Sequence, residues 1–396
     1  MSNNDRQSSR RNILKATSGA LVGMGVIGLG AAKPGDKVEV NVGFEGGAGR
    51  NATLTAADDV VREFNFDAAT IQLPMKAAEA LARNPNVRYV EENGTMYALA
   101  ETEPWGIDRT DADVAHANGE TGSGADIAIL DTGIDSDHPD LQANIGSGTS
   151  FVACSTKGGC RYGAKPADNT CYESWDDDNN HGTHCAGIAN AVNNTEGVIG
   201  VSTQATLHAV KVLDKCGSGS FSDIAAGVEY VGDQGWDVAS MSLGASSGSQ
   251  ALRDACQYAV NQGVFLVGAA GNSGPCTDCV GYPAAYPEVM AVSSTNDSDG
   301  LSSFSSQGPE VDIAAPGTDI YSSVASNGDY DTYSGTSMAT PHVAGAAGLL
   351  MANGYTNTEA RDQLASTAED IGLAANESGA GLLDVAASLG LDSSDN

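Results

Sequence analysis

Three segments of the sequence carry a serine, a histidine and an aspartate that could together form a nucleophilic relay. Ser337 starts an apolar segment of helical spacing, where free backbone N–H groups and the helix dipole favour a developing anion. His181 opens a stretch of small residues, and Asp131 ends a short apolar run typical of a buried parallel strand. In such a relay the serine attacks, the histidine takes its proton, and the aspartate orients the imidazole. Taken alone, Ser337 would more ordinarily be a helix N-cap, so the combination of three residues carries the interpretation.

The sequence around these residues resembles that of the subtilisin-like serine proteases (subtilases). The matching blocks are the run that ends at Asp131, HGTHCAG from His181 onward, and SGTSMATPHVAG around Ser337. The last two blocks are closest to the proteinase K branch, and the resemblance covers roughly residues 101–390. It implies a Ser-His-Asp serine endopeptidase. Pro341, in the third block, is expected in the first turn of its helix, because proline is tolerated there.

The pattern after residue 105 predicts the elements that must position these residues. Apolar runs typical of strands lie at 127–130, 207–213, 238–243, 264–269 and 289–292, and helical patterns lie at 181–192, 221–230, 250–262 and 337–351. Such alternation predicts an α/β fold, with a mostly parallel sheet sandwiched by helices, as the resemblance also implies. Asp131, Gly244 and Asn272 fall at the carboxyl ends of strands, where ligands bind in such sheets.

An acyl-transfer enzyme also needs hydrogen-bond donors for the oxyanion. Asn272 lies in the loop GAAGNSG, which begins at Gly268 and resembles the oxyanion loop of the family. The resemblance therefore implies that the Asn272 side chain and the Ser337 backbone N–H are the two donors. An asparagine beside a glycine is otherwise most often a simple turn residue.

The resemblance also implies which residues contact the substrate. One segment is expected to pair with the substrate backbone as an extra strand. The floor of the first specificity pocket has no side chain and no acidic residue is evident there, so the pocket is expected to accept a large apolar or aromatic residue. The matching positions are Ser242, Leu243 and Gly244 for the strand, Gly281 for the floor and Ala269 for the wall of the first pocket, and Phe221 for the rim of an outer apolar pocket.

Calcium is the structural ion that the resemblance implies. Asp140 and Asn194 match side-chain ligands of subtilisin, and Val192 and Val198 match backbone carbonyl ligands in the same loop as Asn194. Glu101 matches a further ligand supplied from the mature N-terminus. Hard oxygen ligands from a loop suit Ca²⁺.

Two other groupings of residues could bind a metal. His181 and Cys185 lie about one helical turn apart and are both zinc-ligand types, but no second pair has matching spacing and His181 is needed in the relay. The acidic run Asp176-Asp177-Asp178 could bind a cation, but in so acidic a chain it is interpreted as solvated surface.

The composition is strongly acidic, with 19 Lys and Arg against 51 Asp and Glu and a formal net charge of −32. Such a charge argues against nucleic acid and anionic membranes as partners. The acidic residues are spread along the chain and 41% of residues are hydrophobic, which indicates a folded protein with an acidic surface. Concentrated salt would screen the self-repulsion of so large a charge. In this respect the chain resembles haloarchaeal proteins, in particular the halolysin-type extracellular proteases.

The first quarter of the chain divides into segments typical of export and processing. Residues 1–32 combine Arg10-Arg11 with a short Gly-rich apolar run and resemble a twin-arginine signal peptide; a membrane anchor is the alternative. Residues 33–99 predict strands at 38–42, 70–73 and 87–93 and a helix at 75–83, and they resemble the small α+β propeptide of subtilases; a permanent domain is the alternative. The resemblance implies self-cleavage near residues 99–100, a catalytic domain at 100–396 and an extracellular destination.

Eight cysteines in an exported protein predict disulfides, whose connectivity the sequence leaves open. Cys276 and Cys279 are close enough to pair locally, and Cys185 resembles the unpaired cysteine of the proteinase K branch. Seven others then remain, so at least one more thiol is free or Cys185 is paired. Three further cysteines lie in a long insertion between the aspartate and histidine blocks: Cys154, Cys160 and Cys171.

Together these features predict a secreted, monomeric serine endopeptidase that is made as a self-processing zymogen and adapted to high salt. Its expected partners are protein and peptide substrates, cleaved broadly after large apolar or aromatic residues, and its own propeptide as inhibitor. The same machinery should hydrolyse esters, and no further C-terminal module is expected after the closing segment that begins at Gly379. A narrow maturation protease and a catalytically silent peptide-binding protein are the alternatives.

Overall fold

The computed structural model describes residues 37–93, 101–160 and 166–393, and the chain divides into two units between Ala98 and Leu99. The expected signal peptide at 1–32 and the expected cleavage site near residue 99 lie outside the described residues. None of the helices in the described ranges has the length and apolar character needed to cross a membrane.

The first unit is an antiparallel sheet of four strands with two helices packed against it. Val40, Val42, Ile71 and Leu73 are fully buried at alternate positions of the two central strands, which is the period-two pattern that predicts strands. The three predicted strands and the predicted helix are confirmed, whereas a Gly-rich helix and a largely exposed strand carry no such signal and are additional. The elements are β1 (Lys37–Phe44), α1 (Gly46–Ala56), β2 (Asp59–Phe64), β3 (Ala68–Pro74), α2 (Met75–Leu81) and β4 (Val87–Glu92), in the strand order β2-β3-β1-β4.

The second unit is built on a parallel sheet of seven strands, which confirms the predicted α/β fold. All five predicted strands are present, and the additional ones are short or interrupted by polar residues. The strands are β5 (Asp126–Asp131), β6 (Thr149–Ser150), β7 (Thr206–Lys211), β8 (Val238–Met241), β9 (Phe265–Ala269), β10 (Met290–Thr295) and β11 (Val311–Pro316), in the order β11-β10-β9-β8-β5-β7-β6. A separate antiparallel pair consists of β12 (Ile320–Val324) and β13 (Asp329–Tyr333).

Helices cover both faces of this sheet, and all four predicted helices are among them. Two long amphipathic helices begin directly after a serine that caps them: Ser220 and Ser249 each accept a hydrogen bond from a backbone N–H three residues on. The helices are α3 (Trp105–Arg109), α4 (Ala112–Ala117), α5 (His181–Asn190), α6 (Phe221–Gln234), α7 (Gln250–Asn261), α8 (Thr336–Ala352), α9 (Asn357–Thr367), α10 (Ala375–Ser378) and α11 (Val385–Ser388).

The central strand β5 divides the core into two apolar layers. Ile127 and Ile129 belong to the layer that holds α5 and α8, and Ala128 and Leu130 belong to the layer that holds α6 and α7. The alternation of side chains along a strand explains why this run is apolar throughout: both faces are covered. The carboxyl end of β5 is therefore fixed from both sides, and Asp131 is its last residue.

α8 is apolar on all sides and is buried along most of its length, as expected for a central helix. Pro341 is its sixth residue, so the expectation that it lies in the first turn is wrong. Because proline has no N–H, the carbonyl of Ser337, four residues earlier, has no helical donor. Ser242 Oγ donates to this carbonyl at 2.8 Å and Cys185 Sγ lies 3.4 Å from it. Side chains of neighbouring elements thus replace the missing helical hydrogen bond.

Candidate active site

Asp131 at the end of β5 and His181 at the start of α5 form a hydrogen bond. The distance between His181 Nδ1 and Asp131 Oδ1 is 2.8 Å, and the Thr132 backbone N–H donates to the same oxygen at 2.7 Å. Asp131 is fully buried, and its Oδ2 has no hydrogen-bond partner among the described residues. A buried carboxylate at Nδ1 fixes the tautomer that carries its proton there, which leaves Nε2 able to accept one.

Two opposing effects set the pKa of His181. Burial is the largest single effect and disfavours the charged imidazolium, but the charge and hydrogen bond of Asp131 together with the contact of Cys185 outweigh it, so the pKa of His181 is raised well above the usual 6.5. Two other buried histidines lack such a carboxylate: burial lowers the pKa of His184 to about 3 and that of His342 to about 4. Of these three rings, His181 is therefore the one suited to take up a proton.

Ser337 is the second residue of α8, and α8 packs against the helix that carries His181. Cys185 lies between the two helix starts, with its Sγ 4.0 Å from His181 Nδ1 and 3.4 Å from the Ser337 carbonyl oxygen. The Ser337 hydroxyl donates to the Ser242 carbonyl oxygen at 3.2 Å, and within the described part of the chain it makes no hydrogen bond to His181. Such a bond is often long without substrate and tightens in the complex.

The same geometry bears on the alternative interpretation of His181 and Cys185 as zinc ligands. Asp131, His181 and Cys185 each place one donor atom within 4.8 Å of the others. However, His181 Nδ1 is engaged by Asp131, and burial raises the pKa of the Cys185 thiol, which favours its protonated form. The arrangement therefore favours the proton relay over a zinc cluster.

Asn272 is oriented by its contacts with the residue before Ser337. Asn272 Oδ1 accepts hydrogen bonds from the Thr336 backbone N–H at 2.9 Å and from the Thr336 hydroxyl at 3.0 Å. Because a backbone N–H can only donate, the amide oxygen must face Thr336 and Nδ2 must face away. A Cβ placed on Gly335 would lie 3.3 Å from Asn272 Nδ2 and 3.6 Å from the Ser337 backbone nitrogen. Both donors therefore border one small volume, as an oxyanion site requires.

Two adjoining cavities share the wall formed by residues 242–245. One, of about 660 Å³, contains His181, the glycine-rich segment 217–219 and Phe221. The other, of about 630 Å³, contains Ser337 and Asn272. The six residues predicted to contact substrate all line one cavity or the other: Ser242, Leu243, Gly244, Ala269, Gly281 and Phe221. The two clefts thus adjoin along residues 242–245, and the second of them contains the candidate nucleophile.

The cavity that contains Ser337 also contains carboxylates, so the expectation of a pocket without an acidic residue is wrong. Glu310 and Asp278 line it together with Gly281. No local signal identifies Glu310, because it lies directly before β11, far from Gly281 in the sequence. It reaches this cavity because residues 307–310 pack against residues 278–280, where the Cys279 N–H donates to the Gln307 carbonyl oxygen at 2.9 Å.

The residues predicted to bind calcium converge on one loop. Asp140 accepts hydrogen bonds from Asn194 Nδ2 at 2.9 Å and from the Val198 N–H at 2.8 Å, and its own carbonyl accepts from the Val192 N–H at 3.0 Å. Glu101 Oε1 accepts from the Asn194 N–H at 2.6 Å. Burial raises the pKa of Asp140 to about 6, and the charge of Glu101 contributes in the same direction. In the described ranges, no basic side chain forms an ion pair with either carboxylate.

The acidic run at 176–178 is buried, so its interpretation as solvated surface is wrong. Asp177 accepts a hydrogen bond from the Thr132 hydroxyl at 2.8 Å and another from the Thr183 N–H at 2.9 Å. Asp178 pairs with Lys211, whose Nζ lies 2.6 Å from Asp178 Oδ1 and is itself fully buried. Asp177 thereby joins the end of β5 to the first turn of α5, the two elements that carry Asp131 and His181.

The cysteines form three disulfides among the described residues, including the expected local pair. Cys185 is free, as expected, and the odd remaining thiol is the buried Cys256. One disulfide ties the insertion to the residue directly before segment 217–219 of the first cavity. The pairs are Cys154–Cys171, Cys160–Cys216 and Cys276–Cys279.

Comparison with known proteins shows which family the chain resembles. A family profile described as "Subtilase family" matches residues 122–382. Subtilisin amylosacchariticus from Bacillus subtilis subsp. amylosacchariticus is 44% identical over 318 residues, which cover 79% of this chain and 78% of the relative. An alkaline protease from Shouchella clausii is 41% identical over 332 residues, which cover 83% of this chain and 81% of the relative. These similarities support the subtilisin-like family and do not support the narrower resemblance to the proteinase K branch or to halolysins.

Proposed function

The chain belongs to the subtilase family and is a serine endopeptidase, and from this premise we propose that Ser337, His181 and Asp131 form its catalytic triad. The observation that carries the proposal is the 2.8 Å hydrogen bond between His181 and the buried Asp131, next to a helix N-terminus that presents Ser337. Each residue comes from a different element: Asp131 ends β5, His181 begins α5 and Ser337 lies in the first turn of α8.

Acylation follows from the roles that this geometry allows. His181 Nε2 takes the hydroxyl proton of Ser337 as Oγ attacks the scissile carbonyl, and the imidazolium then gives that proton to the leaving amine. Asp131 keeps the ring oriented and stabilises its charged form, consistent with the raised pKa of His181. Water repeats the sequence on the acyl-enzyme to release the acid and regenerate Ser337.

The tetrahedral oxyanion is stabilised by two fixed donors. Asn272 Nδ2 and the Ser337 backbone N–H border the same volume, and the Thr336 contacts hold the amide in place before substrate arrives. Donors that are already oriented cost no reorganisation when charge develops, which is why such sites lower the barrier strongly.

The substrate is proposed to bind as an extended strand along 242–244. Gly244 leaves its backbone open to approach, since the nearest atom to a Cβ placed there would be the Tyr282 carbonyl oxygen at 3.6 Å, and Phe221 borders the outer part of the first cavity. In the second cavity, Gly281 and Ala269 leave room for a large apolar or aromatic side chain before the cut. Cleavage is therefore proposed to be broad in specificity, with ester hydrolysis as a side reaction.

Export and processing extend the proposal to the whole chain. Residues 1–32 are proposed to be a twin-arginine signal peptide and residues 33–99 a propeptide that assists folding and inhibits the nascent enzyme. The division of the chain between Ala98 and Leu99 supports a boundary near the proposed cut. The mature enzyme, residues 100–396, would act as an extracellular monomer. The net charge of −32 supports adaptation to high salt.

The residues of the 192–198 loop fit a structural Ca²⁺. The fit rests on the donor set: two carboxylates, from Asp140 and Glu101, an Asn194 amide and backbone carbonyls of Val192 and Val198 lie in one loop region without a basic partner in the described ranges. When bound, the ion would hold the N-terminal segment of the catalytic domain to this loop, and it takes no part in the chemistry.

The experiment that tests the triad compares the wild type with Ser337→Ala in concentrated salt. Intact mass before and after maturation and casein hydrolysis should show that only the wild type loses its N-terminal segment and cleaves casein. Ser337→Ala is expected to keep its full mass, since the hydroxyl is the nucleophile. If Ser337→Ala still processes itself and still cleaves casein, the triad assignment is wrong.

A narrow maturation protease is the same-class alternative, and a silent peptide-binding protein is the other. Digestion of a peptide library separates the first, because a maturation protease would cut a small subset of sequences. Casein hydrolysis by the wild type rules out the second.

A further inference from the structure

The acidic side chain in the second cavity lies near the end of the pocket that Gly281 forms. A Cβ placed on Gly308 would lie 2.7 Å from Glu310 Oε2 and 3.0 Å from Val280 Cγ2. The Glu310 carboxylate therefore lies beside the Val280 side chain, one residue from Gly281. Gly281 itself faces the opposite wall closely, since a Cβ there would lie 3.3 Å from the Ala245 carbonyl oxygen.

One oxygen of this carboxylate has no hydrogen-bond partner among the described residues. Glu310 Oε2 is buried and accepts no hydrogen bond, and among the described residues no basic side chain pairs with Glu310. Arg361, which reaches the same strand, is occupied by Asp312 at 2.8 Å and by the carbonyls of Pro287 and Val289. A buried acceptor without a donor is costly, and a cation supplied from outside would offset that cost.

The rest of the cavity suits a side chain with an apolar stem. Leu243, Ala269 and Val280 provide apolar walls, and Asp278 adds a second, exposed carboxylate to the lining. A lysine or arginine can lay its methylene stem along apolar walls while its charged end reaches a carboxylate. A phenylalanine can fill the same walls, but it leaves Glu310 unpaired.

We propose that Glu310 is a specificity-determining residue, which makes this pocket accept arginine and lysine before the cut in addition to large apolar residues. The proposal rests on the proposed function, because it uses the same pocket and the same nucleophile. It extends the substrate class to peptides with basic residues at the cleavage position. In an enzyme of such strong negative charge, the remainder of the surface would attract the same peptides.

The test uses three tetrapeptide anilides that differ only in the residue before the cut: arginine, citrulline or phenylalanine. Citrulline has the shape of arginine without its charge. We expect the mature wild type to cleave the arginine peptide at least about tenfold better than the citrulline peptide in kcat/KM, since buried charge pairs contribute effects of this size. Glu310→Gln should remove most of that ratio, and Glu229→Gln, at an exposed position of α6 outside both cavities, should keep it.

Salt provides a second readout. The arginine-to-citrulline ratio of the wild type should fall as KCl is raised, because screening weakens the attraction between the exposed parts of the charges. For Glu310→Gln the ratio should be flat with salt. Active-site titration with a serine-reactive inhibitor corrects every rate for the fraction of folded enzyme.

Equal cleavage of the arginine and citrulline peptides by the wild type would overturn the role of Glu310 while leaving the protease function intact, provided that the phenylalanine peptide is cleaved. A ratio that persists in Glu310→Gln would also overturn it and would point to Asp278. If no anilide is cleaved and the inhibitor titrates no site, the proposed function itself fails.

Discussion

Asn272 shows how much of the site depends on one hydrogen-bonded side chain. Its amide oxygen is held by two donors of Thr336, so its nitrogen is directed toward the volume beside the Ser337 backbone N–H. Replacement by a leucine of similar shape keeps the packing and removes the donor.

For Asn272→Leu we expect kcat to fall by 10²–10³, about 3–4 kcal/mol of transition-state stabilisation, with little change in KM. The reason is that the donor acts mainly when the oxyanion forms. Steady-state kinetics on a peptide anilide measure the change. Asn261→Leu, at the exposed end of α7 and outside both cavities, is the control, and a loss confined to KM would argue against the oxyanion role.

The pH dependence follows from the His181–Asp131 pair. Since the base must be neutral and the pKa of His181 is raised well above 6.5, kcat/KM should rise with pH until it passes that elevated value. Asp131→Asn removes the carboxylate that raises the pKa. The rising limb should therefore move to lower pH, and the rate should fall about 10⁴-fold.

The pH profile of kcat/KM for an uncharged peptide, measured for the wild type and Asp131→Asn, checks this prediction. An unshifted limb in Asp131→Asn would show that some other group titrates. Thermal unfolding of both proteins at one pH confirms that the comparison is between folded enzymes.

At the scale of elements, the insertion and segment 217–219 are joined by the Cys160–Cys216 disulfide. Asn179 Nδ2 adds a hydrogen bond to the Lys215 carbonyl oxygen at 2.9 Å, next to the bridged cysteine. The backbone that is proposed to face the substrate is therefore held at one end by a covalent bond and a hydrogen bond from the loop before His181.

Replacing both bridged residues, Cys160→Ser with Cys216→Ser, should weaken cleavage of long peptides more than that of short ones. We expect KM for a hexapeptide that reaches Phe221 to rise by about tenfold, and KM for a dipeptide ester to change by less than about twofold, because the ester does not reach this segment. The matched control is Cys154→Ser with Cys171→Ser, which frees the insertion without loosening residue 216. Equal effects of the two double variants on the hexapeptide would contradict the prediction.

The three residues proposed for the triad share one property that the sequence shows: each belongs to a short block in which neighbours fix the local backbone. Asp131 follows an apolar strand, and Ser337 and His181 start helices, so strand ends and helix starts placed them. Glu310, the burial of Asp177 and the Cys160–Cys216 pair depend on contacts between segments far apart in the chain. Periodicity carries no information about such contacts, and the acidic composition made buried carboxylates look like surface.

Pro341 was placed wrongly for a related reason. A proline beyond the first turn leaves the carbonyl four residues earlier without a helical donor, and here Ser242 and Cys185 supply partners from other elements. Local helix rules are therefore overridden by tertiary hydrogen bonds.

At the scale of the whole molecule, the net charge of −32 sets the response to salt. Self-repulsion acts over about 10 Å at 0.1 M salt and about 3 Å at 1 M, so added KCl should stabilise the folded chain. We expect the Tm of the inactive Ser337→Ala protein to rise by at least several degrees between 0.1 and 2 M KCl. Differential scanning calorimetry with excess calcium throughout measures this, and an equal rise in sorbitol at matched water activity would indicate a cause other than charge.

Two reciprocal hydrogen bonds fix the position of Ser242 relative to Ser337. Ser242 Oγ donates to the Ser337 carbonyl oxygen at 2.8 Å, and Ser337 Oγ donates to the Ser242 carbonyl oxygen at 3.2 Å. These two bonds join the start of segment 242–244, which is proposed to face the substrate, to the proposed nucleophile. A peptide that pairs with that segment through its own main chain, as proposed, would be held at a fixed distance from the nucleophile by contacts that do not involve the peptide's side chains. Alignment on the bond to be cut would then be the same for peptides of varied sequence.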